Sequence, residues 1–324
     1  FRRWLRFLMR KFFIRRAIFA LLTLWGITFV VFGLSRLGPD PLLIYVRDDS
    51  YGISEDTLQK LRQKWGLDRP FHVQYLKWMG AIVRGDLGES IAAQRPVTKM
   101  IGEKLPATLQ LAVVAWLLAS IPGVGLGVLS AVKRGSAWDY LTRSVALIGQ
   151  ATPAFWLAIL MILVFAVRLD WFPPATKAPS TEPFWTQVSY FVMPAMVLGF
   201  DPWASYLRLT RSSMLEVLDS EFVKLARAKG VSGQKVIWKH SLRNALIQPL
   251  TVSALVLASF ITGSVFVEAV FAWPGIGRLA VQASLDNDFP VLAGVVLLFG
   301  TAYVAMNFLA DVLYAVIDPR IRYD

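Results

Sequence analysis

Nineteen consecutive residues without a charge, Ala17–Ser35, constrain this chain more than any other feature. At 1.5 Å per residue, a helix of that length just crosses a hydrocarbon core about 30 Å thick. Further uncharged runs follow at Leu105–Val132, Ser144–Val167 and Asn244–Val267. In lipid no water is available to the backbone, so such runs must satisfy their own N–H and C=O groups as helices. Charged residues make up 17% of the chain, where a soluble domain carries about a quarter. The expected class is an all-α integral membrane protein.

The net charge of +12 would suggest nucleic acid in a soluble protein. Its location argues otherwise. Residues 1–16 carry seven Lys/Arg and no acid, and residues 208–243 carry eight Lys/Arg and three acids. Basic flanks beside apolar spans mark cytoplasmic segments. No basic-aromatic platform for single strands stands outside the spans, so no nucleic acid is expected. With no cysteine and two isolated histidines, His72 and His240, thiol chemistry, disulfides and a His-rich metal site are excluded.

In order, residues 1–16 read as a cytoplasmic basic segment, either an interfacial amphipathic helix on membrane lipid or a flank that only sets orientation. The first span is 17–35. The Gly38-Pro39-Asp40-Pro41 stretch breaks it, and residues 36–104 form an extracytoplasmic subdomain; from 38 to 104 it holds ten Lys/Arg and nine acids. Within it one helix is expected from an Ser54 cap, with Glu55 and Asp56 in the first turn, an Ile53/Leu58 staple and a stop at Gly66. A second is expected over Phe71–Val83, with Phe71, Tyr75, Trp78 and Ile82 on one face. Gly85–Ser90 reads as a turn. The subdomain is either a passive cap or a landing surface for an external partner, with Tyr75, Trp78, Asp86 and Glu89 as its candidate contacts.

Residues 105–317 read as a core of five more spans, which makes six. The second, Leu105–Val132, contains Gly123, Gly125 and Gly127, whose lack of side chains permits close helix approach in lipid. The third, Ser144–Val167, is kinked at Thr152-Pro153; the freed carbonyls need protein or a water-filled cavity, which makes Pro153 a candidate for the translocation pathway. Residues 168–185, with Trp171, Pro173-Pro174 and Trp185, read as an interfacial outer turn. The fourth span, Phe184–Leu207, carries Asp201. A carboxylate at that depth either faces a cavity, which makes Asp201 the second candidate for the translocation pathway, or finds a neighbouring helix. The fifth is Asn244–Val267. After an outer re-entry at 268–288, the sixth is Phe289–Ile317, with Asp311 near its inner end. Residues 318–324 are a cytoplasmic C-terminus.

Between the fourth and fifth spans lies the longest polar interval of the second half, 208–243. A short helix is expected from a Ser220 cap, with Glu221 at its positive end and Arg227 and Lys229 at its negative end. Gly230 stops it. Phe222, Leu225 and Ala226 give it an apolar face suited to a groove.

Several stretches carry a likeness to a known family. Tyr75-Leu76-Lys77-Trp78 with Gly85-Asp86-Leu87-Gly88-Glu89-Ser90 resembles its periplasmic signature. Leu105-Pro106-Ala107-Thr108-Leu109, Pro153-Ala154-Phe155-Trp156-Leu157, Val267-Glu268 through Phe271, Trp273-Pro274-Gly275-Ile276-Gly277 and Asp318-Pro319-Arg320-Ile321-Arg322 follow in the family's order. Together they resemble the permease subunits of dipeptide, oligopeptide and nickel importers, a branch of the ATP-binding-cassette family. The resemblance implies a type I importer permease fold in the inner membrane, with both termini cytoplasmic. Residues 208–243 are then similar to the loop that permeases insert into their ATPases. Against the general Glu-Ala-Ala…Gly…Ile-x-Leu-Pro pattern only Ala226, Gly230 and Leu242 match; Ala226-Arg227-Ala228-Lys229-Gly230 looks like the peptide-branch version. The coupling helix implied comprises Glu221, Phe222, Lys224, Leu225, Ala226, Arg227, Lys229 and Gly230.

The resemblance also implies the assembly. A second homologous permease, two ATPase subunits that bind ATP and Mg, and an extracytoplasmic substrate-binding protein are the expected partners. No catalytic residue, cofactor or metal is expected in this chain, which has no Walker-type loop. Di- or oligopeptides are the default cargo; nickel chelates, glutathione or oligosaccharides travel through similar permeases. A channel or secondary transporter is the rival class. It would need an ionisable relay, for which the spans offer Asp201 and Asp311.

Overall fold

The computed structural model describes residues 2–37, 56, 59–60, 62–63 and 68–317, and all of its elements there are helical apart from one isolated bridge between Glu89 and Pro96. The helices are α1 (Arg2–Leu37), α2 (Phe71–Val83), α3 (Val97–Val132), α4 (Ala137–Ala151) and α5 (Ala154–Met161), the last continued by a π-helical turn at Ile162–Arg168. Then come α6 (Phe184–Leu218), α7 (Glu221–Ala228), α8 (Ile247–Gly263), α9 (Val265–Val270), α10 (Ile276–Leu285) and α11 (Phe289–Ile317). Residues 233–245 form a run of short helical and π-helical turns that leads into α8.

Four stretches are long and apolar enough to cross a membrane: Ile14–Leu37, Val97–Val132, Ile247–Val270 and Phe289–Ala310. A fifth exists if α4 and the run Ala154–Arg168 count together as one broken span. The expected fourth span lies in α6, which is long enough at 35 residues. Its first two-thirds mix Gln187, Ser189, Asp201 and Ser205 with the apolar residues, and it is not among the stretches that qualify by hydropathy.

Three boundaries differ from expectation. No break separates residues 1–16 from the first span, because nothing before Gly26 interrupts helix-compatible residues. Helix α3 begins at Val97, eight residues before its uncharged run, with Lys99 and Met100 N–H bonded to the Pro96 carbonyl; hydropathy sets the span, and the helix is free to extend beyond it. The third span is bent by 104°, far beyond a kink. Thr152 is driven to extended geometry (φ −88°, ψ 118°) by the proline that follows, and its hydroxyl returns to the Ile148 carbonyl at 2.7 Å. The Ser54 cap, the Ile53/Leu58 staple, the Gly66 stop, the Gly38–Pro41 break, the C-terminal motif from Asp318 and the side chain of Asp311 lie outside the described residues.

The chain divides into two compact units. The first comprises residues 1–106 and 275–304. Here α2 lies on α1: the Tyr75 hydroxyl and Thr28 Oγ1 are 3.0 Å apart, and the Phe29, Phe32, Phe71, Tyr75 and Trp78 rings contact one another. Val97, Ile101, Ile276, Val291 and Val295 form a separate buried cluster.

The second unit comprises residues 107–274 and 305–324. Its core is built on α3, α5, α6, α8 and α9, with Leu111, Ala115, Met193, Tyr206, Phe260 and Trp273 nearly inaccessible. Small residues set the spacing of α3 and α6, as packing in lipid favours. A Cβ on Gly123 would sit 2.8 Å from the Trp203 carbonyl oxygen, and one on Gly127 2.7 Å from that of Leu207. Gly125, between them, faces open space, so the contact uses positions i and i+4 of the triplet. Pro194 and Pro202 sit inside α6 without ending it.

Candidate functional site

The polar interval begins at Asp219, not at 208, because α6 continues through Leu218. Arg208 and Arg211 are therefore helix residues. Arg208 donates to Gln150 Oε1 at 3.1 Å, and Arg211 pairs with Asp139, which is 1% exposed. The guanidinium makes two bonds, Nε to Oδ1 at 2.8 Å and Nη2 to Oδ2 at 2.9 Å. Ser130 Oγ donates to Oδ1 at 2.6 Å and the Gly135 N–H to Oδ2 at 3.0 Å. The carboxylate is thus fully satisfied, as burial demands, and it ties the end of α3 and the start of α4 to α6. The sequence held one hint of this pair: Asp139 is the one acid in the basic stretch Lys133–Arg143.

Only Asp219 and Ser220 separate α6 from α7, the expected coupling helix, observed as Glu221–Ala228. Ser220 has the extended backbone of an N-cap, but its side chain makes no cap bond; its hydroxyl turns back to the Val217 carbonyl at 2.5 Å. The stop is as expected. Gly230 has φ +77°, in the left-handed region that glycine enters without cost, and Gly230 and Val231 donate to the Arg227 and Ala226 carbonyls. Glu221 pairs with Lys224 at 2.8 Å on the exposed surface, a contact worth little by itself. Arg227 and Lys229 are exposed at the negative end.

The apolar residues of α7 split into two faces. Val223, not singled out from the sequence, is 0% exposed and anchors the helix. Phe222 and Leu225 are 46% and 56% exposed, and Ala226 is half-buried beside them. Phe222 and Leu225, three residues apart, share one outward face of the helix.

The two pathway candidates occupy different helices. Asp201 is exposed midway along α6 and makes no hydrogen bond among the described residues, with Arg208 its nearby cation. Pro153 is exposed at the corner between α4 and α5.

In the same unit, two of the quoted stretches lock together. Glu268, 0% exposed, accepts from Thr108 Oγ1 at 2.7 Å and from Ser264 Oγ at 3.0 Å. Trp273 Nε1 donates to the Ala107 carbonyl at 3.0 Å, and its ring meets Phe191 edge-on at 4.6 Å.

In the first unit, the four candidate contact residues separate. Asp86 and Glu89 are exposed, and Trp78 is half-buried against Phe32. Tyr75 is 8% exposed and faces α1, which removes it from the expected landing surface. The Gly85–Ser90 turn is built by Gly85 and Gly88, both at φ +82°, and by Asp86 Oδ1 accepting the Gly88 N–H at 2.9 Å. Ser90 is buried and donates to Asp288, which also accepts from the Ile91 and Val291 N–H groups at 3.3 and 3.4 Å. Asp288 thereby caps α11 and holds the turn.

The helical, membrane-spanning architecture thus carries a short amphipathic helix, α7, between the long helices α6 and α8. Residues 123–323 match the family described as the binding-protein-dependent transport system inner membrane component, and residues 9–112 match the N-terminal part of the same systems' membrane component. The chain belongs to that family, and it is a multi-pass membrane protein.

Its relatives sharpen the placement. It is 38% identical over 318 residues to the oligopeptide transport system permease protein AppB of Bacillus subtilis, covering 97% of this chain and 100% of that one. It is 36% identical to the dipeptide transport system permease protein DppB of Escherichia coli, over 97% and 99% of the two chains. Among solved structures it is similar in fold to the inward-facing MetNI methionine transporter, with TM-score 0.51 and 18% identity over 68% of this chain and 96% of the other. The fold is that of a type I importer permease.

Proposed function

We propose that this chain is one of two permease subunits of an ATP-driven importer of di- or oligopeptides. The peptide assignment is supported by AppB and DppB, which are named for oligopeptide and dipeptide transport and align over nearly the full chain. Two ATPase subunits bind ATP and Mg and dock on α7; an extracytoplasmic binding protein delivers the cargo to a surface that includes Trp78, Asp86 and Glu89. Six spans cross the inner membrane, α6 supplying the one short of apolar residues, with both termini cytoplasmic. Asp201 and Pro153 line the pathway, which explains a carboxylate left without a hydrogen bond inside a span.

The observation that carries the reading is the division of α7 into a buried anchor and an exposed apolar face. Phe222 and Leu225 enter the ATPase groove, and Val223 transmits the push to α6. ATP-driven closure of the motors then moves α6 with α4, because Arg211 and Asp139 tie them. The test is reconstitution of the assembly in proteoliposomes with its binding protein. Uptake of labelled dialanine should require ATP in wild type and fall to background in Phe222→Ser/Leu225→Ser. ATP-independent uptake by this chain alone would sink the reading.

A further inference from the structure

A second polar site lies at the other end of α6. A cavity of about 520 Å³, within the size range of small-molecule pockets, is lined by Gln110, Lys177, Ser180, Gln187, Phe191 and Pro274. The segment that carries Lys177 is fixed on both sides. The Thr176 N–H donates to the Phe271 carbonyl at 2.6 Å with φ at +71°, and Ala178 is 6% exposed. Farther along, Gln187 Nε2 holds the Ser180 and Glu182 carbonyls at 3.2 and 2.8 Å. The backbone that carries Lys177 is therefore held on both sides.

Its ammonium donates to Gln110 Oε1 and stands 6.0 Å from the centre of the Trp273 ring. These partners are an amide oxygen and a π face, and both are neutral. Among the described residues no carboxylate pairs with it. An ammonium with three donors and no carboxylate partner among the described residues, beside a hydroxyl, two amides and the Phe191 ring, suits an anion with an apolar substituent. A peptide's terminal carboxylate next to its last side chain has that chemistry: the carboxylate meets Lys177, and the side chain packs on Phe191. From these contacts we infer that Lys177 forms a carboxylate-recognition site for the C-terminal residue of the transported peptide. This deepens the peptide reading proposed above and rests on it.

The chain has no cysteine, so Ser180→Cys supplies a single thiol in the cavity. In membrane vesicles holding the whole transporter, its rate of modification by an anionic and by a cationic methanethiosulfonate is measured. The anionic reagent should react at least about fivefold faster, a floor for one unit charge a few ångströms away that attracts one reagent and repels the other through water. Lys177→Gln should abolish that preference and Lys177→Arg should keep it. Dialanine should protect the thiol, and its C-terminal amide should not. Equal protection by both, protection by neither, or a charge preference that survives Lys177→Gln would overturn the inference. Selective protection by the free acid, in vesicles whose wild-type assembly fails to import dialanine, would leave the carboxylate site standing and remove the peptide assignment instead.

Discussion

Arg211 grips Asp139 with two parallel hydrogen bonds, across 72 residues of sequence, and neither side chain is more than one-fifth exposed. Removing one partner of such a pair strands the other. Asp139→Ala should destabilise the protein by about 3–5 kcal/mol, while an apolar replacement of both, Asp139→Leu with Arg211→Met, should recover most of that. Thermal unfolding in detergent checks it; equal losses in the single and double variants would contradict the pairing.

The glycine triplet of α3 makes a differential prediction. Gly123→Ala and Gly127→Ala each place a methyl under 3 Å from backbone oxygen of α6 and should cost about 1–3 kcal/mol. Gly125→Ala meets nothing within 4 Å and should be neutral or slightly stabilising through helix propensity. The same melting experiment ranks the three.

On α7, anchor and outer face should come apart. Val223→Ala removes two buried methyl equivalents, about 1–2 kcal/mol, and should loosen the helix. Phe222→Ala and Leu225→Ala should leave the melting temperature unchanged while reducing co-purification of the ATPase. A stability loss at Phe222 matching that at Val223 would argue against an outward docking face.

Gly230→Ala should cost about 1–2 kcal/mol through backbone strain alone, since no neighbour lies within 4 Å of the added methyl. Gly230→Asn should be milder, because asparagine tolerates the left-handed region. The sensitive readout is binding-protein-stimulated ATP hydrolysis, which should fall more in the alanine variant.

Features fixed by local chemistry were legible in the sequence. The uncharged runs announced the membrane, Phe71 and Val83 bound α2 as expected, and Gly230 stops α7 because one backbone conformation demands it. What failed depended on partners far along the chain. The helical period put Tyr75 on a face with Trp78 but could not say that Thr28 and Phe32 would cover that face. Val223 read as one more apolar residue, since burial against other elements leaves no local mark. Pro153 signalled a break; its angle is set by how α4 and α5 pack, which no residue near Thr152 encodes. Asp139 and Arg211 each looked like an ordinary charge until the fold brought them together.

Helix α6 runs unbroken for 35 residues, about 50 Å, from Gln187 and Phe191 at the cavity to the two-residue link before α7. A rod of that length behaves as a lever arm: tilted by about 5°, its far end travels about 4–5 Å. With so short a link, little of that travel is lost as slack. A displacement the size of one helical turn at α7 would thus reach the Lys177 cavity as a few degrees of rotation, the scale on which an ammonium's grip on a small anion is made or broken.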